Sequence, residues 1–93
     1  MSIAALHVTV EGRVQGVGFR AYVEREARER GLKGWVRNRS DGRVEAVFMG
    51  EEEDVQSMIV VCHRGPRMSL VREVKSEPYP PGEWRSFEVW PTV

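Results

Sequence analysis

Two helical patterns set among short alternating runs, in the order β-α-β-β-α-β with one extra strand, predict an α+β sandwich for this 93-residue chain. Three observations carry that prediction. A period-2 alternation, Leu6, Val8 and Val10 against His7, Thr9 and Glu11, runs directly into a glycine-dense turn. Two charged segments carry apolar residues at helical spacing, and each is closed by glycine. Asp41-Gly42 lies between two strand-like runs, which is a hairpin signal.

The first strand is expected over 5–14 and the glycine turn over 15–18. A helix follows over 19–30, with Phe19, Tyr22, Val23 and Ala27 on one face and Gly31 where a left-handed residue ends it. In the second strand, 33–39, Gly34, Val36 and Asn38 share one face, while Trp35, Arg37 and Arg39 share the other. The third strand, 43–49, alternates Val44, Ala46 and Phe48 with Glu45 and Val47. Glu51 to Asp54 places four acids at the positive end of a second helix. Its stripe is Val55, Met58, Ile59 and Cys62, and Gly65-Pro66 stops it. A fourth strand over 70–77 carries Val71 and Val74 three apart, a spacing that predicts a bulge. After the loop at Tyr79-Pro80-Pro81-Gly82-Glu83, a short last strand over 86–90 alternates Phe87 and Val89 with Glu88 and Trp90.

This order is the split β-α-β, or ferredoxin-like, pattern: an antiparallel sheet with two helices on one face, forming a single domain over 1–93. A right-handed crossover lays the first two strands parallel, with the third between them. Their carboxyl ends then lie at one edge of the sheet. Residues 15–18 and Asn38, distant in sequence, are expected to meet there.

Composition narrows the function. The formal charge is zero and acids are interleaved with the twelve arginines, so no net field draws the chain to nucleic acid or anionic membrane. No apolar run is long enough to span a bilayer. The stretch before the first strand is too short and uncharged for a signal peptide, so a cytoplasmic location is expected. One cysteine, Cys62, forms no intramolecular disulfide or thiolate metal cluster and is read as core. His7 and His63 are isolated, and no metal or other cofactor is expected.

The chemistry concentrates in Gly12-Arg13-Val14-Gln15-Gly16-Val17-Gly18-Phe19-Arg20. Three glycines at a strand-to-helix junction bare backbone N–H groups, and the positive end of the following helix adds to them. The expected oxyanion cradle is the backbone of this glycine turn, with the Arg20 fork leaning back over it. The spacing Gly16-Val17-Gly18-Phe19-Arg20-Ala21 meets a dinucleotide fingerprint, but an antiparallel hairpin follows and the chain is too short for a doubly wound sheet. There is no lysine for a nucleotide phosphate loop, and Val14 stands where a cysteine phosphatase needs its nucleophile. The nine residues hold no side chain that could serve as nucleophile, general acid or general base. Such a site suits a bond whose leaving group departs unaided, and a carboxylate, whose acid has a pKa of ~4, does so. An acyl phosphate is such a substrate, and Asn38 is the candidate for an uncharged group that orients water.

Together with Gly34-Trp35-Val36-Arg37-Asn38 and Asp41-Gly42-Arg43-Val44-Glu45, the motif resembles the acylphosphatase family, and the resemblance extends over essentially the whole chain. Ser86 stands where members often carry glycine. The resemblance implies hydrolysis of a small-molecule acyl phosphate to a carboxylate and inorganic phosphate, with neither metal nor covalent intermediate. It implies that Arg20 binds the phosphoryl group, Asn38 orients the water, and the segment from Gln15 to Phe19 supplies the amides. Inorganic phosphate is then product and competitive inhibitor, and a monomer is expected. The alternative from another class is a non-catalytic phosphate-binding regulatory module on the same fold.

Overall fold

The computed structural model describes residues 2–93. Its elements are β1 (Ile3–Arg13), α1 (Phe19–Glu29), β2 (Lys33–Asn38), β3 (Val44–Glu51), α2 (Glu52–Arg64), β4 (Leu70–Pro78) and β5 (Phe87–Val89). The strands form one sheet in the order β4-β1-β3-β2-β5. β3 runs antiparallel to both β1 and β2, and β4 is antiparallel to β1. β5 departs from the expected antiparallel sheet: it pairs parallel with β2, matching Gly34 to Phe87 and Val36 to Val89, so the sheet is mixed. Alternation along a three-residue strand encodes which face is buried and carries no information on direction.

The helices lie together on one face, α1 over β2 and β5, α2 over β1, β3 and β4. Val8, Val10, Val36, Val44, Ala46, Phe48 and Phe87 project from the sheet to meet Phe19, Val23, Val55, Met58 and Cys62. The α2 stripe is rotated slightly from expectation, with Val61 buried and Ile59 only partly so. The thiol of Cys62 is sealed in this layer, and burial pushes it up to about 12.

Helix ends follow sequence chemistry. Gly31 takes φ 67° after α1, its N–H donating to Arg28 O at 3.1 Å while Leu32 N–H donates to Ala27 O at 3.0 Å. That pair of bonds is the Schellman arrangement. The bulge expected in β4 is present: Glu11 pairs with Glu73 but Gly12 with Val71, leaving Arg72 as the extra residue. The extra residue lets Val71 and Val74 both pack against the core.

The other face of the sheet is not left open. Trp35 stacks on Trp90 with centroids 4.5 Å apart, and His7 stacks on Tyr79, which in turn stacks on Trp84. Val47 is fully buried on this side. The segment after β4 thus forms a thin second layer.

Three predictions test this architecture. Gly34 holds φ 130° in mid-strand, and a Cβ there would run into the Val47 carbonyl oxygen on β3. Gly34→Ala is expected to lower unfolding free energy by about 3 kcal/mol or more in urea titrations. Gly31→Ala, at a left-handed position with open space around it, is expected to cost only about 1 kcal/mol. Cys62 should resist a disulfide reagent at pH 8 in native protein and react fully once urea unfolds the chain.

Candidate active site

β1 ends where the bulge forces close approach. A Cβ on Gly12 would strike the Leu70 carbonyl, so only glycine fits where the register against β4 shifts. Beyond Arg13 the handedness alternates: Gly16 has φ 73° and Gly18 φ 79°, while no non-glycine residue takes positive φ. Alternation of this kind tilts successive N–H groups toward one side and forms an anion-binding nest. Added Cβ atoms at Gly16 and Gly18 would meet open space, so backbone conformation rather than crowding demands glycine there.

Phe19 fixes the next part of the site. Its ring is buried in the core and meets Tyr22 edge-on at 5.9 Å, which pins the start of α1 beside the nest. Tyr22 N–H donates to Gly18 O at 3.0 Å, closing the first turn. The N–H groups of residues 19–21 precede that closure and have no intrahelical acceptor. Among the described residues, no turn or cap hydrogen bond between backbone groups is donated by the N–H of residues 15–21.

Arg20 and Asn38 meet in one cleft of about 420 Å³, together with Gln15, Gly16, Gly18 and Phe19. Val14, Ala21, Glu24 and Val89 complete its walls. Val17 is not in the wall; its side chain packs against the core, leaving only its peptide for the turn. Glu24, one helical turn beyond Arg20, has its carboxylate 3.1 Å from the Arg28 guanidinium. None of the ion pairs among the described residues engages Arg20.

Asn38 is the last residue of β2 and is only 9% exposed. Its Oδ1 is buried with no hydrogen-bond donor among the described residues. A buried acceptor left unpaired costs about 1–3 kcal/mol, and this one lies at the wall of the cleft.

Gln15 does more than sequence reasoning assigned to it. Its Nε2 donates to Arg39 O at 2.7 Å and Arg43 O at 2.9 Å, using both amide hydrogens. These carbonyls flank the turn from β2 to β3, which is closed by Arg39 N–H to Arg43 O at 2.8 Å. Gln15 therefore bolts the glycine loop to the hairpin that carries Asn38. The sequence signal was an amide, with two donors on one nitrogen, in a loop otherwise built of glycine and valine. Glu24, Ala21 and Val89 were also missed as walls. Glu24 and Ala21 follow from helical proximity to Arg20, but Val89 depends on the parallel pairing of β5.

The turn itself is stiffened by Asp41. Hydrogen bonds from the Arg43 side chain and from its N–H, with a further one from Arg39, hold the Asp41 carboxyl well below the usual carboxylate range. Among the described residues there is no group of three or more His, Cys, Asp or Glu placed to hold a metal ion. Among the described residues, no helix is long and apolar enough to cross a membrane.

Comparison with known proteins agrees with this geometry. The family model for acylphosphatase matches residues 6–89. The chain is 48% identical over 99 residues to an acylphosphatase of Bradyrhizobium diazoefficiens, covering 100% of both. A solved acylphosphatase from Coxiella burnetii superposes with a TM-score of 0.92 at 38% identity, covering 95% of this chain and 93% of that one. Full-length HypF, solved in a phosphate- and nucleotide-bound form, gives a TM-score of 0.90 at 31% identity over 98% of this chain but 12% of its own. With the match running from β1 to β5 and relatives of equal length sharing about half its residues, this chain belongs to the acylphosphatase family.

Proposed function

We propose that the chain hydrolyses small-molecule acyl phosphates by direct attack of water on the phosphoryl group, using Arg20 and Asn38 as its catalytic residues. The observation that carries this reading is the buried, unpartnered Oδ1 of Asn38 in the same cleft as Arg20 and the glycine nest. The amides of the segment from Gln15 to Phe19 and the Arg20 guanidinium take the peripheral phosphoryl oxygens. Negative charge on those oxygens is spread in a loose transition state, and preorganised donors meet it without rearrangement. The Oδ1 of Asn38 accepts a hydrogen bond from water, which turns a lone pair of that water toward phosphorus. A water-oxygen to phosphorus bond forms as the bond from phosphorus to the acyl oxygen breaks. The electron pair leaves on the carboxylate, and the surplus proton passes to solvent.

A carboxylate needs no protonation to leave, which accounts for a cradle without a general acid. No step requires a metal ion. Selectivity resides in the phosphoryl end, so the enzyme should accept a range of acyl groups. A cytoplasmic monomer is proposed as its working form.

One observation favours a second reading, a non-catalytic phosphate-binding module: the likeness to a small part of the much larger HypF. The two readings differ in turnover. An aryl acyl phosphate such as benzoyl phosphate should be hydrolysed by the purified chain, whereas a module would bind phosphate and release no carboxylate. Arg20→Ala and Asn38→Ala are each expected to lower kcat/KM by about 10²–10³ while leaving the circular dichroism spectrum unchanged. Near-full activity in either variant would remove that residue from the mechanism. Inorganic phosphate should raise the apparent KM without changing kcat. EDTA should leave the rate unchanged, and strong inhibition by it would refute the metal-free mechanism.

A further inference from the structure

Behind Asn38, on the face of the sheet turned away from the cleft, a single carboxylate gathers three side chains. Glu45 on β3 is 6% exposed. Its Oε2 lies 2.6 Å from His7 Nε2, and its Oε1 accepts from Arg37 Nε at 2.8 Å and Arg39 Nη1 at 3.3 Å. Burial works to push the Glu45 carboxyl up, but the hydrogen bonds from His7 and Arg37 outweigh it and hold the group below its usual range. A carboxylate so enclosed is costly unless its lone pairs are met, as they are here.

The two arginines are the chain neighbours of Asn38. Strand alternation sends their side chains to the face opposite that of Asn38. Arg37 is fixed further by lying over the Trp35 ring, 4.7 Å from its centroid. Asn38 has no comparable anchor of its own, since its Oδ1 meets no donor among the described residues. Its aim into the cleft is set by the backbone on either side, and one buried oxygen of Glu45 holds both sides.

We propose that Glu45 is a positioning residue for the reaction: by anchoring Arg37 and Arg39, it sets the direction in which Asn38 presents its amide to the attacking water. The proposal rests on the assignment of Asn38 made above. It has a specific signature. Arg20 and the nest amides lie on another segment, joined to the anchored one through the Gln15 bonds to the Arg39 and Arg43 backbone carbonyls rather than through the arginine side chains, so loss of Glu45 disturbs water orientation more than phosphate binding. Its effect also vanishes when Asn38 is already gone.

Kinetics of Glu45→Gln, Asn38→Ala and the double variant on benzoyl phosphate, with inhibition by inorganic phosphate, test this. Glu45→Gln is expected to lower kcat about tenfold, less than the ~10²-fold loss from a 1 Å misplacement. The phosphate inhibition constant should stay within about twofold, and on the Asn38→Ala background Glu45→Gln should add no further loss. Wild-type kcat with a lowered melting temperature would overturn the proposal, leaving Glu45 a merely structural role. Equal losses in both backgrounds, or phosphate affinity falling in step with kcat, would overturn it too. If Asn38→Ala alone kept full activity, the assignment of Asn38 would fail and this proposal with it. An impaired Asn38→Ala beside a normal Glu45→Gln would sink the proposal alone. Should Glu45→Gln not fold, Arg39→Gln removes one arm of the clamp and must show the same pattern at smaller amplitude; unchanged kcat there would overturn it.

Discussion

The site depends on the position of β3. Because β3 is antiparallel to both β1 and β2, those two strands run parallel, and whatever leaves them leaves at one edge of the sheet. Across this triplet the register forms rows on the core face. Val8, Ala46 and Val36 make one row; Val10, Val44 and Asn38 make the next, one step toward the edge. Asn38 thus takes a place that an apolar residue would fill if packing alone decided. A one-residue slip of β2 would carry Asn38 to the opposite face, so the burial of Val36 and Ala46 enforces the direction of the amide. Core packing and the site are one constraint.

The segment after β4 completes the sheet in an unexpected way. β5 is short, and three residues of ladder would hold little alone. It is secured by Phe87 stacking on Phe48 and by two Arg28 hydrogen bonds to Phe87 O, at 3.3 and 3.0 Å. Trp90 then folds over Trp35 on the far side, with Trp90 N–H donating to Val36 O at 2.9 Å. Val93 N–H reaches Asn38 O at 3.2 Å, and its own carbonyl takes the Ser40 N–H at 2.6 Å. The last residues therefore brace the strand that bears Asn38.

Sequence reading recovered what periodicity, glycine chemistry and crossover handedness encode. The elements, the bulge between Val71 and Val74, and the meeting of residues 15–18 with Asn38 all follow from those rules. What it missed depends on tertiary pairing. The parallel direction of β5 has no local signature. Val61 replaced Ile59 in the buried stripe because the angle at which α2 sits on the sheet selects among neighbouring faces. The burial of Glu45 has no local signature either, since alternation with Val44 does not say whether the second face is covered; the Trp90 and Tyr79 layer lies over that face. The bond pair made by Gln15 requires knowing where the Arg39 and Arg43 carbonyls point, which only the folded hairpin supplies.

The proposed mechanism also separates holding an anion from reacting with it. Amides of a glycine turn and the first turn of a helix carry partial charge that neither titrates nor leaves, so the cradle is assembled once the fold is. The single formal charge in it, on Arg20, lies on a helix whose other wall residue, Glu24, has its carboxylate beside Arg28. Phosphate recognition as proposed therefore calls for no buried lysine and little net charge. In the proposed mechanism the chemical step is left to an uncharged amide on a different element, fixed through backbone and register. Such a division suits a substrate already primed to break: the protein needs only to neutralise spreading charge and aim one water.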